Sequence, residues 1–136
     1  MGCHVAAVWY PFRMTDNQKH HIAALNEAIA FYGSDASRRA IDINSGTYYY
    51  DPATGNRCSI GRLLDESVAK SLANETRYVE ELIADGVISL DYDLDFLAML
   101  QRLHDDDRYW DEPCGLTRKG FEAVKHMENY ILKYVS

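Results

Sequence analysis

Apolar residues recur at helical spacing in three stretches of the chain, and each stretch follows a residue suited to cap a helix. Thr15 begins a capping-box pattern and predicts a helix over residues 16–32. Asp93 predicts a helix over residues 93–104, and Thr117 predicts a last helix. The apolar positions are Ile22, Leu25, Ile29 and Tyr32 in the first stretch, Leu94, Leu97, Leu100 and Leu103 in the second, and Phe121, Val124, Ile131 and Val135 in the third.

Between the first two of these helices, extended and turn-forming residues replace the helical pattern. Tyr48, Tyr49 and Tyr50 favour extended backbone, and the Asp-Pro-Ala-Thr-Gly-Asn sequence that follows them supplies turn residues. The strand returns through Arg-Cys-Ser-Ile-Gly. This pattern predicts a β-hairpin over residues 47–61.

Shorter segments complete the predicted fold. Residues 63–69 and 75–84 predict short helices, and residues 87–88 a third short strand. The sum is an α+β fold: a small antiparallel sheet with a central hairpin, packed by several helices, two of them long. The 136 residues predict a single domain, with residues 1–13 as a peripheral extension if the fold begins near Met14.

Composition narrows the classes of function. The net charge is −7, and nine acidic residues lie between positions 85 and 112, so binding to nucleic-acid polymers is disfavoured. We interpret this acidic stretch as a solvated face, and the alternative is a surface that mimics DNA. The sequence lacks a run of about 18 apolar residues and a basic region at its start, so neither a membrane span nor a secretory signal is expected. Three scattered cysteines fit a reducing cytosol.

Two features suggest catalytic chemistry, and a structural interpretation is favoured for both. His104-Asp105 is the metal-binding core of one phosphohydrolase family, but the other histidines have no fitting arrangement, so we interpret it as a helix-terminal histidine beside a solvated acid. Cys58 follows Arg57, which would favour a thiolate, yet a cysteine at this position is more often a small buried residue. We therefore expect no catalytic residue, no metal and no cofactor.

The hairpin instead suggests a binding site. Arg57 and Arg62 offer guanidinium groups that grip phosphate, and Tyr48 or Tyr50 offers an aromatic face on which a base stacks. Tyrosines alternate across a strand, so one or two of the three face the core. This combination predicts a flat, phosphorylated small molecule as ligand.

The order of motifs resembles a known family. Tyr-Tyr-Asp-Pro-x-Thr-Gly-x-Arg-Cys-Ser-Ile-Gly-Arg-Leu-Leu is followed by Phe-Leu-Ala-Met-Leu-Gln-Arg-Leu-His-Asp, beginning at Phe96. This order resembles the phage anti-Thoeris sponge family across residues 34–106. Members bind cyclic ADP-ribose-type immune signals without cleaving them and assemble as homo-oligomers.

The resemblance implies roles for five residues. Arg57 would contact phosphate or ribose, and Phe96 would stack on adenine. Asp106 stands where the family pattern has asparagine. Arg118 and Lys119 stand near the arginines that members place in their last helix against the diphosphate.

The resemblance also implies a function. We expect a non-catalytic, homo-oligomeric phage protein that sequesters a cyclic-nucleotide or cyclic ADP-ribose signal in the cytoplasm of the infected bacterial host. The first alternative is an acidic inhibitor that binds a host defence protein directly, as anti-CRISPR proteins do. The second alternative is a small phosphoesterase.

Overall fold

The computed structural model describes residues 13–42 and 46–136, which fall into two compact units. We call residues 13–36 and 106–136 the terminal unit and Ser37–Asp105 the central unit. The single-domain organisation stays a prediction. The expected peripheral extension lies, except for its last residue, outside the described residues.

The terminal unit is built on two long helices. Helix α1 (Asp16–Ser34) begins at a complete capping box, in which Thr15 and Gln18 bind each other's backbone N–H groups. The last helix, Arg118–Tyr134, begins at Thr117, whose side chain accepts a hydrogen bond from the third helical N–H. Both predicted helices are thus confirmed. Their buried apolar side chains are Ile22, Leu25, Ile29, Tyr32, Val124, Met127 and Ile131.

The segment that precedes the last helix is ordered. It contains a 3-10 helix at Asp107–Tyr109 and an isolated β-bridge between Trp110 and Leu116. Cys114 is disulfide-bonded, whereas the sparse cysteine count predicted free thiols. The cysteine count therefore did not predict disulfide formation, because cysteine pairing depends on tertiary placement rather than on spacing in the sequence.

The central unit is built from short elements. Strand β1 (Ile41–Asp42) pairs antiparallel with β2 (Gly46–Thr47), and a 3-10 helix covers Gly61–Leu63. Three helices follow, which are α2 (Glu66–Ser71), α3 (Val79–Ala84) and α4 (Leu94–Asp105). The Arg118–Tyr134 helix is accordingly α5. A further 3-10 turn lies at Ala36–Arg38.

The predicted α+β fold is wrong. The described residues contain five α-helices, and their strand content is two strands of two residues each. Residues 48–60 reverse direction, with Asp51 N–H bonded to Asn56 O at 2.8 Å, but they form no strand. Residues 87–88 are not a strand either. The central sheet of the prediction is thus reduced to the β1–β2 pair.

Packing of the tyrosine segment explains why the hairpin does not form regular strands. The Tyr49 ring is buried, and its hydroxyl is bonded to groups distant in sequence. A Cβ atom at Gly61 would collide with the Tyr49 carbonyl oxygen, so the chain passes close to this residue a second time. Such tertiary contacts outweigh the intrinsic strand preference of tyrosine.

Helix α4 provides much of the core of the central unit. Asp93 caps it by accepting the Phe96 N–H at 2.9 Å, which confirms the predicted start. Its buried face includes two polar side chains, Gln101 and His104, among apolar ones. Among the described residues, no helix is both long enough and apolar enough to cross a membrane.

Candidate functional site

A polar pocket of about 280 Å³ opens in the central unit. Its lining comes from the end of β2, from the segment that leads into α3, and from the last turns of α4. The lining residues are Thr47, Tyr49, Glu75, Thr76, Arg77, Tyr78, Gln101 and Asp105. Ligand pockets typically measure about 300–1,000 Å³, so this one has room for part of a nucleotide-sized ligand.

Tyr49 and Gln101 hold the inner wall of the pocket. The Tyr49 hydroxyl donates to the Arg77 carbonyl at 2.7 Å and accepts from the Gln101 amide nitrogen at 2.9 Å. Gln101 in turn accepts the Val79 N–H at 2.9 Å, which fixes the orientation of its amide. Burial raises the pKa of Tyr49, and the hydrogen bond from Gln101 only partly opposes this. The phenol is therefore neutral at physiological pH.

The buried His104 and the half-buried Asp105 form a hydrogen-bonded pair beside this wall. His104 Nδ1 lies 2.7 Å from Asp105 Oδ1, and the Ala40 N–H donates to His104 Nε2 at 3.2 Å. Because Nε2 accepts, the ring proton must reside on Nδ1 and point to the carboxylate. Burial lowers the pKa of His104, with the Asp105 hydrogen bond opposing it. The imidazole is therefore a neutral donor.

Arg77 and Tyr78 form the outer rim. The Arg77 guanidinium binds both Glu75 carboxylate oxygens, at 2.8 and 3.1 Å, and Asp85 Oδ2 at 2.7 Å. The hydrogen bonds from Arg77 lower the pKa of Glu75 to about 2, and the same contact raises the pKa of Arg77. Tyr78 lines the pocket and is 65% exposed, so its aromatic side chain is accessible to solvent.

A second concavity of about 270 Å³ in the central unit is lined mostly by apolar residues. It is lined by Leu63, Leu64, Asp65, Val68, Val87, Ile88, Ser89 and Leu90. Asp65 is its sole ionisable lining residue, so it offers far fewer hydrogen-bonding groups than the polar pocket. We therefore take the polar pocket as the candidate site.

The predicted ligand contacts lie elsewhere in the described residues, and none of them lines the polar pocket. Those in the central unit are Tyr48, Tyr50, Arg57, Arg62 and Phe96. Those in the terminal unit are Asp106, Arg118 and Lys119. Their roles stay predictions.

Within the central unit, the predicted contacts differ in accessibility. Tyr48, Tyr50 and Arg62 are half-buried, and Arg57 is half-buried with Nη1 3.5 Å from the Leu64 carbonyl oxygen. Phe96 has 0% exposure and stacks on Tyr92, with ring centroids 5.8 Å apart. In this conformation the Phe96 ring has no face on which adenine can stack.

The predicted contacts in the terminal unit lie at its surface. Asp106 accepts hydrogen bonds from the Arg108 side chain and backbone and thereby caps the 3-10 helix. The Arg118 side chain is 95% exposed, and its Nε lies 3.7 Å from a Glu122 oxygen. Lys119 is also exposed. These groups are accessible to solvent.

The two features with possible catalytic chemistry are both buried. Cys58 is 1% exposed, and burial raises its pKa to about 12, so its sulfur is a protonated thiol at neutral pH. Both ring nitrogens of His104 are engaged by hydrogen bonds and are not directed at an open site. Within residues 13–42 and 46–136, no group of three or more His, Cys, Asp or Glu side chains is placed to hold a metal ion.

The sequence contained one signal for the site that the motif analysis missed. Gln101 and His104 occupy positions on the apolar face of α4, where a polar side chain must find a partner. Arg77 and Tyr78 gave no comparable signal.

Comparison of the chain with protein-family models, with curated proteins and with solved structures found no match.

Proposed function

We propose that the chain is a non-catalytic phage immune-evasion protein that binds and sequesters a cyclic nucleotide or cyclic ADP-ribose signal. The observation that carries this proposal is the polar pocket, where an exposed aromatic ring, a guanidinium and a carboxylate surround one cavity. Tyr78, Arg77 and Asp105 supply these groups. The resemblance of the hairpin and helix motifs to the anti-Thoeris sponges supports the class of ligand.

Each rim group suits one part of such a ligand. The Tyr78 face suits stacking of a base, which is sequence-tolerant and requires no reaction. Arg77 suits a phosphate, because a guanidinium donates charge-assisted hydrogen bonds to phosphate oxygens and its Nη1 is not used by Glu75. A phosphate would replace a carboxylate partner of Arg77, and the pair with Asp85 is the more exposed, at 37% and 60% side-chain exposure. Exposed pairs of this kind contribute little to stability, so the exchange costs little.

The state of the buried reactive groups supports sequestration rather than turnover. Cys58 is a buried thiol with a raised pKa, and a thiol is a poor nucleophile. His104 is a neutral imidazole whose two nitrogens are already engaged. A protein that sequesters its ligand needs affinity and abundance, and neither property requires these groups to react.

The size of the pocket bears on assembly. A cavity of about 280 Å³ encloses only a part of a cyclic dinucleotide-sized ligand. We therefore propose that the protein acts as a homo-oligomer, in which a second copy covers the remainder of the ligand. The proposed location is the cytoplasm of the infected bacterial host, where such signals are made.

Ligand depletion tests this function directly. Purified protein in excess is incubated with cyclic ADP-ribose isomers and cyclic nucleotides, the protein-free filtrate is assayed, and the protein is then denatured. We expect at least one ligand to leave the filtrate and to be recovered intact after denaturation. A converted product would show an enzyme, and no depletion of any ligand would contradict the proposal.

A pair of arginine variants localises the binding. Arg77→Ala removes the guanidinium at the pocket, whereas Arg102→Ala removes a 70% exposed guanidinium of α4 that does not line it. We expect Arg77→Ala to weaken ligand depletion and Arg102→Ala to leave it unchanged. Equal depletion by both variants would place the site elsewhere.

A further inference from the structure

Asp105 is the pocket residue with the greatest unused capacity to accept hydrogen bonds. The other lining carboxylate, Glu75, binds the Arg77 side chain and the backbone N–H groups of Thr76 and Arg77. The Asp105 carboxylate, by contrast, accepts a hydrogen bond from the His104 ring at Oδ1, and the Asp105 side chain is 23% exposed. An ionised carboxylate offers about four acceptor positions. Asp105 lines the pocket, and apart from the His104 contact its carboxylate has no hydrogen-bond partner among the described residues.

His104 fixes the position of this carboxylate. Its ring is fully buried and lies between the Ala40 N–H on one side and Asp105 on the other. The backbone at the same point is also held, because Arg39 Nε donates to the His104 carbonyl at 2.8 Å. Because the buried His104 ring is held on both sides, its Nδ1–H keeps Asp105 Oδ1 in place. The planar carboxylate group then fixes the position of Oδ2. His104 is therefore a positioning residue.

We propose that Asp105 recognises the vicinal hydroxyls of a ribose, with His104 holding the carboxylate in the receiving orientation. This inference rests on the proposed function and names the part of the ligand that the inner pocket takes. A carboxylate accepts one hydrogen bond from each of two neighbouring hydroxyls, and acidic residues bind ribose hydroxyls in this way in dinucleotide-binding folds. The hydroxyl protons stay on the ligand, so no bond is made or broken.

The rest of the pocket is consistent with a ribose at this point. Gln101 and Tyr49 lie beside Asp105 and bind each other, so they form a polar wall that excludes apolar groups. Arg77 and Tyr78 at the rim are left for the phosphate and the base. The lining thus supplies a group suited to each part of a nucleotide: Asp105 to the sugar, Arg77 to the phosphate and Tyr78 to the base.

The test compares ligands that differ by one hydroxyl. Binding of cyclic ADP-ribose and of its 2′-deoxy and 3′-deoxy analogues is measured by isothermal titration calorimetry with wild-type protein. We expect loss of a recognised hydroxyl to weaken binding about tenfold or more, the size of a hydrogen bond to a charged group. If wild-type protein binds all three ligands equally, the ribose inference is overturned while the proposed function stands. If it binds none of them, the ribose inference is overturned, and if the depletion panel also finds no ligand, the proposed function fails as well.

Variants assign the effect to Asp105. Asp105→Asn is expected to weaken binding of cyclic ADP-ribose about tenfold and to bind the deoxy analogues almost as well as the parent ligand. Asp95→Asn is the matched control, since Asp95 lies on the same helix, is exposed and does not line the pocket. Full hydroxyl discrimination in Asp105→Asn would overturn the inference.

His104→Gln tests the positioning role. Gln retains a donor but not the locked ring, so we expect hydroxyl discrimination to fall while affinity for the deoxy analogues stays unchanged. Equal weakening of all ligands would show a structural role only and would overturn this part of the inference. If the variant does not fold, the comparison of ligands on wild-type protein still decides whether a hydroxyl is recognised.

Discussion

The terminal and central units bury polar side chains in different ways. In the terminal unit, the buried His21 binds the Asn17 carbonyl at 2.7 Å, one turn earlier in its own helix. In the central unit, Ser59 binds the Leu100 carbonyl at 2.8 Å and Gln101 reaches both Val79 and Tyr49. These last contacts join segments 22 to 52 residues apart. The His21 contact to Asn17 therefore lies within one helix, whereas Ser59 and Gln101 join distant segments of the central unit.

The difference shows which part of the chain specifies a single folded arrangement. Apolar helix faces pack by size and pattern, and many sequences satisfy them. A buried polar network must satisfy every member at once, so it specifies one arrangement. The polar pocket lies on such a network.

The largest expected effect concerns Phe96. Phe96→Ala should lower the free energy of unfolding by about 3–5 kcal/mol, because the ring is fully buried. Phe121→Ala in α5 is the matched control, since that ring is 47% exposed, and its effect should stay within about 0.5 kcal/mol. Urea denaturation measures both. A stable Phe96→Ala variant that loses ligand binding would instead support the stacking role that the family resemblance implies.

The next effect concerns the close approach at Gly61. Gly61→Ala should destabilise the protein by about 2–3 kcal/mol, because the new methyl group meets the Tyr49 carbonyl oxygen. Gly55→Ala should cost about 1 kcal/mol, since Gly55 has φ of 77° but nothing within 4 Å of the added atom. Thermal unfolding compares the two. Equal destabilisation would contradict the close packing of the tyrosine segment.

The polar contrast itself is tested by replacing one buried polar residue in each unit. Gln101→Leu should cost about 1–3 kcal/mol, since it leaves the Val79 N–H and the Tyr49 hydroxyl each short of a partner. His21→Leu should cost less, because the hydrogen bond that it removes lies within one helix. Chemical denaturation gives both values. A larger loss in His21→Leu would reverse the proposed difference between the units.

The last prediction is a pH dependence due to His104. Its pKa is lowered in the folded state from the ordinary 6.5, so the unfolded chain binds more protons below pH 6.5. The free energy of unfolding should therefore fall as the pH drops from 7.5 to 5.5, by at most about 1.4 kcal/mol per pH unit. This range lies above the ordinary pKa of Glu75, which is 4.5. In His104→Gln this component should vanish, and an unchanged pH slope would contradict the buried neutral imidazole.

Much of the helical structure could be predicted from the sequence, because its causes are local. Thr15, Asp93 and Thr117 each precede an apolar repeat, and all three helices begin where these caps lie. The hairpin prediction was wrong because its causes are not local. The placement of Tyr49 depends on hydrogen-bond partners 28 and 52 residues away. Strand preference cannot report such partners.

The candidate site escaped prediction on the same grounds. Its guanidinium, its exposed ring and its carboxylate come from Arg77, Tyr78 and Asp105, which belong to no shared motif. Gln101 and His104 gave a hint, as polar residues on an apolar helix face. The aromatic and arginine residues indicated the hairpin as the binding site. The polar pocket is lined by Tyr49 of that segment and by none of the eight predicted contacts.

The central claim is that the polar pocket of the central unit binds the ligand, and an NMR titration tests it most directly. Backbone amide shifts of labelled protein are followed while a depleted ligand from the panel is added. We predict that the largest changes occur at Thr76, Arg77, Tyr78, Gln101 and Asp105, with small changes at Arg118 and Lys119. Changes concentrated at Arg118 and Lys119, or at Arg57 and Arg62, with none around the pocket would contradict the account.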